Sequence, residues 1–124
     1  MFFKKTGKES GDSAEHRARH YLENQGLVTI ECNYHSRYGE IDLIMRGRQH
    51  LVFIEVRFRT RRDFGSAADS VTPRKQNRII LTASRFLQTR FRNNPPPCRF
   101  DVISISGGQQ QNIEWIKDAF QPTL

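Results

Sequence analysis

The sequence is poor in cysteine, with only Cys32 and Cys98. They lie far apart and form no Cys-x-x-Cys pair, which excludes a zinc ribbon and a disulfide-stapled scaffold and suits a reducing compartment. Long apolar runs are missing too. No segment approaches the roughly 20 residues of a membrane-spanning helix, and the N-terminal MFFKKTGKES has no apolar stretch of signal-peptide length. A cytoplasmic protein with no membrane partner is therefore expected. The third shortage is acid: 13 Asp and Glu face 20 Lys and Arg, giving a net charge of +7 and a pI near 10.0. Such a surplus points to a polyanion, nucleic acid before anionic membrane, although a solvated basic surface gives the same count. The 124 residues, 36% of them hydrophobic, suffice for one domain around one core.

Along the chain, residues 1–11 read as a flexible N-terminal tail and 12–124 as a single domain. A first helix is expected from a cap at Asp12, with Ala14, Ala18, Tyr21 and Leu22 turned inward and Gly26 as the stop. LVTIECNY reads as a strand, and GEIDLIM and LVFIEVRF as a hairpin around the loop GRQH. Residues 59–72 lack periodicity and read as an exposed, mobile loop. Thr72 and Pro73 open a second helix. Its core face is Ile79, Ile80, Ala83, Phe86, Leu87 and Phe91, and its other face carries Arg74, Lys75, Arg78 and Arg85. NNPPP ends it. CRFDVISI and NIEWI read as two strands around an SGGQQQ turn, followed by a short helical tail. The order is αβββαββ, a mixed β-sheet flanked by helices.

Charge intrudes on the hairpin. Side chains alternate across a strand, so Glu40, Asp42 and Ile44 share one face and Ile41, Leu43 and Met45 the other. On the next strand Phe53, Glu55 and Arg57 share a face. With GRQH as the loop, Arg46 pairs with Leu51 and Asp42 comes opposite Glu55, their Cβ atoms roughly 4.5–5.5 Å apart. Two carboxylates that close repel, and burial worsens the repulsion. A divalent cation resolves it, because Mg²⁺ is held by one or two carboxylates plus water and phosphate oxygens. Glu15 falls on the inward side of the first helix and serves as a third ligand or as a capping-box partner of Asp12.

Glu15, GEIDLI, and FIEVR ahead of a basic loop resemble the restriction-endonuclease-like superfamily, whose signature is (E)…PD…(D/E)-x-K. More closely, GEIDLI, VFIEVRFR, SVTPRKQNRI, CRFDVI and EWIKDAF are similar to the YraN family of proposed endonucleases, related in fold to archaeal Holliday-junction resolvases. The similarity runs from about residue 11 to about residue 120. The resemblance implies a restriction-endonuclease-like α/β fold and a metal-dependent endonuclease that hydrolyses phosphodiesters in DNA, branched or junction forms included. Asp42 and Glu55 would bind Mg²⁺ or Mn²⁺ with the Val56 carbonyl, Glu15 joining directly or through water. Gln76, inward on the second helix, would orient the site; alternatively it bonds backbone at the helix start. A homodimer is also implied. The departure is Arg57, where the superfamily carries lysine. Arginine stays charged (pKa above about 12) and is a poor general base, yet it can grip phosphate bidentately and stabilise developing charge. A nucleic-acid-binding module that keeps the fold without turnover is the alternative.

Arg57, Arg59, Arg61 and Arg62 lead from the carboxylates into the loop, and Arg74, Lys75 and Arg78 begin the second helix. Both groups suit contacts with phosphate rather than base readout, and no aromatic stacking platform stands out. His16 and His20 have zinc-motif spacing but lack the glutamate between them and fall on the wet side of the helix.

Overall fold

A computed structural model describes residues 6–60, 65–92, 94–107 and 112–122. The elements are α1 (Thr6–Asn24), β1 (Val28–Ser36), β2 (Gly39–Arg46), β3 (Leu51–Arg59), α2 (Pro73–Arg90), β4 (Cys98–Ser106) and β5 (Asn112–Phe120), with a 3₁₀ turn at Ala68–Ser70 before α2. The five strands form one sheet in the order β1-β2-β3-β4-β5. Only β3 and β4 run parallel. A parallel pair needs a crossover, and α2 supplies it. The result is the expected αβββαββ arrangement.

The core has two halves, one on each side of the sheet. Ala14, Ala18 and Leu22 recur every four residues, so they form one stripe of α1. That stripe packs on Leu43, Met45, Val52, Ile54, Ile103 and Ile105. On the opposite side Ile79, Ala83 and Phe86 of α2 cover Ile44, Phe53, Phe100 and Val102. Phe53 stacks on Phe100 at 5.4 Å and meets Phe86 edge-on at 6.0 Å, pairs that add about 0.5–1.5 kcal/mol each beyond burial.

Helix ends follow the sequence signals. The Thr72 hydroxyl accepts the Lys75 N–H at 3.2 Å, with Pro73 next to it. Gly26 takes a φ of +102° after α1, and Leu27 N–H returns to the Leu22 carbonyl at 3.1 Å. The hairpin loop is also as expected: Arg46 pairs with Leu51, and Gly47 N–H donates to the His50 carbonyl at 2.8 Å.

Three expectations need correction. α1 begins at Thr6, so residues 6–11 are helix rather than loose tail, and Asp12 sits inside the helix instead of capping it. The segment after NIEWI is strand, not helix, because β5 continues to Phe120. Its anchor is Asp101, fully buried in β4. Its carboxylate accepts from Trp115 Nε1 at 2.8 Å, from the Asp118 N–H at 2.9 Å, and from Arg99 Nε and Nη2 at 2.9 Å each. The 59–72 segment is not wholly exposed, since Ala67 and Val71 are buried in the α2-side core. Ser66 and Asp69 tie it locally, each side chain accepting the other's backbone N–H at 3.1–3.2 Å. Arg61, Arg62 and most of the SGGQQQ turn lie outside the described residues.

Candidate metal centre

The β2–β3 ladder runs from Arg46↔Leu51 to Leu43↔Ile54 and stops there. The next pair in that register, Asp42 with Glu55, does not continue it. The strands part, and the Asp42 carboxylate fills the gap by accepting the Val56 N–H at 2.8 Å. The alternation expected for β2 breaks at the same place, because Ile41 packs on the α2 side whereas Leu43 and Met45 pack on the α1 side. The carboxylates are therefore arranged around a fork rather than as a flat cross-strand pair. Within a strand, the N–H and C=O of one residue share an edge. The Val56 carbonyl thus looks into the same fork as its N–H.

Both acids are buried, Asp42 to 8% and Glu55 to 4% exposure. Burial pushes the Asp42 carboxyl up to about 8, and the Glu55 charge adds to that rise. The Val56 N–H opposes it, while Glu15 and Glu40 act in the same direction as Glu55. Acids of α1, β2 and β3 thus all act on the Asp42 charge. This is the arrangement that a bound cation would relieve.

Glu55 already has cationic neighbours. Lys75 Nζ lies 2.9 Å from its Oε2 and Arg57 Nη1 lies 3.8 Å from the same oxygen. Lys75 was expected on the outer face of α2, with the phosphate-contacting arginines. It is exposed there, and its Nζ nevertheless reaches Glu55, because it stands four residues before Ile79, at the border of the helix's inward stripe. Arg57 is held from behind as well, its Nε donating to Ser70 Oγ at 3.2 Å.

The remaining site residues divide clearly. Gln76 bonds backbone, its Nε2 donating to the Val71 carbonyl at 2.9 Å, which is the helix-start alternative. Arg59 Nη2 donates to the Gly65 carbonyl at 2.9 Å, so it ties the loop to β3. Arg74 and Arg78 are exposed on α2. His16 and His20 are exposed on α1. Both cysteines are free thiols.

Among the described residues, no three His, Cys, Asp or Glu side chains gather closely enough to hold a metal by themselves. Glu15 of α1 acts on the Asp42 charge. The donor set that fits is Asp42, Glu55 and the Val56 carbonyl. Two carboxylates and a carbonyl, with water filling the other positions, suit a hard divalent cation.

Fold and site together define an open, mixed-sheet α/β protein with a buried acidic pair where two central strands part. The chain belongs to the uncharacterised protein family UPF0102, whose model matches residues 14–105. That span includes Glu15, Asp42, Glu55 and Lys75 and ends within β4. Similar proteins include a UPF0102 protein of Nitrosococcus oceani, 49% identical over 94% of each chain. Another, from Methylobacillus flagellatus, is 50% identical over 91% of this chain and 97% of its own. A third, from Saccharophagus degradans, is 50% identical over 90% of this chain and 92% of its own. Among the described residues no helix is long and apolar enough to cross a membrane.

Proposed function

We propose that this chain is a divalent-metal-dependent endonuclease of the restriction-endonuclease-like fold, hydrolysing phosphodiester bonds in DNA. One observation carries the reading: Asp42 and Glu55 are both buried where β2 and β3 part, with the Val56 N–H holding the Asp42 carboxylate in the fork. A fold keeps such a group only where something compensates it, and perturbed acids cluster at functional sites. The net charge of +7 supplies the field for a polyanionic substrate.

Mg²⁺ or Mn²⁺ at Asp42, Glu55 and the Val56 carbonyl would lower the pKa of a bound water and offset charge on the scissile phosphate. Asp42 and Glu55 orient that centre, and the Val56 N–H fixes the rotation of the Asp42 carboxylate. Arg57, anchored by Ser70, presents its guanidinium at the mouth of the site, where it grips a phosphate oxygen. Lys75 sits beside it and supplies a second positive group toward the substrate.

The second reading is a nucleic-acid-binding module without turnover. It is favoured by Glu55 already having Lys75 and Arg57 as counter-charges, and by arginine's unfitness as a base.

The test is incubation with Mg²⁺ or Mn²⁺ and labelled single-stranded, duplex, flapped and junction DNA. The enzyme reading expects cleavage that Asp42→Asn and Glu55→Gln abolish. Salt-sensitive binding with no cleavage of any substrate would transfer the assignment to the module.

A further inference from the structure

The β1–β2 turn forms a groove against α2 that the acidic pair does not use. The groove measures about 580 Å³ and is lined by His35, Arg37, Tyr38, Glu40, Arg78 and Leu81 among others. Small-molecule sites fall between roughly 300 and 1,000 Å³.

The groove is built firmly. Ser36 Oγ bonds Thr82 Oγ1 of α2 at 2.9 Å and accepts the Tyr38 N–H at 3.0 Å. Gly39 lies against the helix, where a Cβ would stand at contact distance from Arg78 Cβ, and its φ of +154° is strained for other residues. Arg37 Nη2 donates to the Tyr38 hydroxyl at 2.9 Å, and its guanidinium lies 5.0 Å from the ring centroid. The guanidinium thus lies over one face of the ring, and the two hold each other as one layered unit.

The groove also adjoins the acidic pair along two elements. Gly39 precedes Asp42 by three strand residues, about 10 Å. Arg78 follows Lys75, the partner of Glu55, by three helical residues, about 4.5 Å. Glu40 in the groove wall acts on the Asp42 charge.

We propose that this groove binds an unpaired nucleotide next to the scissile phosphate, its base stacked on the Tyr38–Arg37 unit and its backbone held by Arg78. The proposal rests on the nucleic-acid reading of the acidic pair and narrows its substrate to strands with exposed bases. Guanidinium planes and aromatic rings are the surfaces on which unpaired bases stack, whereas a duplex keeps its bases covered. Arg37 and Arg78 match the phosphates in charge. Glu40 lies 3.7 Å from His35 and is the one acid in the wall. Half-exposed Leu81 offers an apolar floor for a base or sugar.

The test is fluorescence anisotropy in EDTA, so that cleavage plays no part, with a labelled single strand, a flapped duplex and a blunt duplex. Tyr38→Ala is expected to weaken the single strand and the flap by about tenfold to a hundredfold while leaving the blunt duplex within about twofold. Tyr38→Phe keeps the stacking face and stays near wild type. Equal loss on all three probes, no loss on the single strand, or Tyr38→Phe as weak as Tyr38→Ala would overturn the proposal. Single strands held through Tyr38 by a chain that never cleaves would retire the nuclease reading and keep this site. Cleavage by a chain whose affinities ignore Tyr38→Ala would do the reverse.

Discussion

Asp42 sits where its own charge is opposed, and that sets a pH dependence with a definite sign. Burial, with the Glu55 charge beside it, pushes its carboxyl from an ordinary 3.8 up to about 8. Between those values the folded state keeps a proton that the unfolded chain has lost, so stability falls as pH rises. Metal-free protein should melt several degrees lower at pH 8.5 than at pH 5.5, and Asp42→Asn should flatten that slope. Mg²⁺ should recover the lost stability at the higher pH in wild type but not in Asp42→Asn. Glu55 has a different balance, because Lys75 faces it at 2.9 Å. Lys75→Met should lower the metal-free stability by roughly 1–2 kcal/mol, since the lysine is half exposed and the pair is screened. It should also tighten Mg²⁺ binding, measured by calorimetry, because Glu55 then answers to one cation fewer. Weaker Mg²⁺ binding in Lys75→Met would count against a cation at this fork.

The acids themselves were legible in the sequence, because charge interrupting a period-2 apolar pattern is conspicuous. Lys75 was missed although its spacing from Ile79 was equally plain. Charge was read as a mark of solvent, whereas here it marked a partner. The fork could not be read at all, since pairing rules give a register but not where a ladder ends.

At the level of elements, β5 shows how one residue can decide secondary structure. KDAF after NIEWI suits a helical turn by local preference, but Asp101 draws the Trp115 indole and the Asp118 N–H back onto β4. Tertiary contact overrides propensity there. Asp118 accepts a φ of +55° as part of that arrangement. Asp101→Ala leaves Arg99, the indole and a backbone donor without their acceptor and should cost about 3–5 kcal/mol. The chain has one tryptophan, so the loosening should be visible as a red shift in its emission. An unshifted spectrum with unchanged stability would show that β5 is held by its apolar contacts alone. The helices were easier to read, because Thr72, Pro73 and Gly26 are strong local signals. α1 ran further toward the N-terminus than its apolar stripe indicated, since that stripe begins only at Ala14.

For the molecule as a whole, the surplus of basic groups makes any nucleic-acid complex salt-dependent. Affinity for a single strand should fall along a straight line in log–log form, with a slope near −0.7 for each phosphate neutralised. Arg78→Ala should reduce that slope by about one phosphate's share. A flat salt response would remove nucleic acid as the partner. The element order was legible because period-2 and period-3.6 apolar patterns follow one another cleanly along the chain. Which α2 side chain meets the acids was not, because Lys75 rather than Gln76 reaches Glu55.

The parallel pairing of β3 with β4 also orders events while the chain folds. The β1–β2–β3 meander closes over short loops, but β4 must wait until the whole crossover has been drawn in, and such non-local closures are slow. Glu55 is therefore expected to join its strand before the helix that carries its lysine arrives. Refolding should be quickened by millimolar Mg²⁺, which would screen the bare acids during that interval.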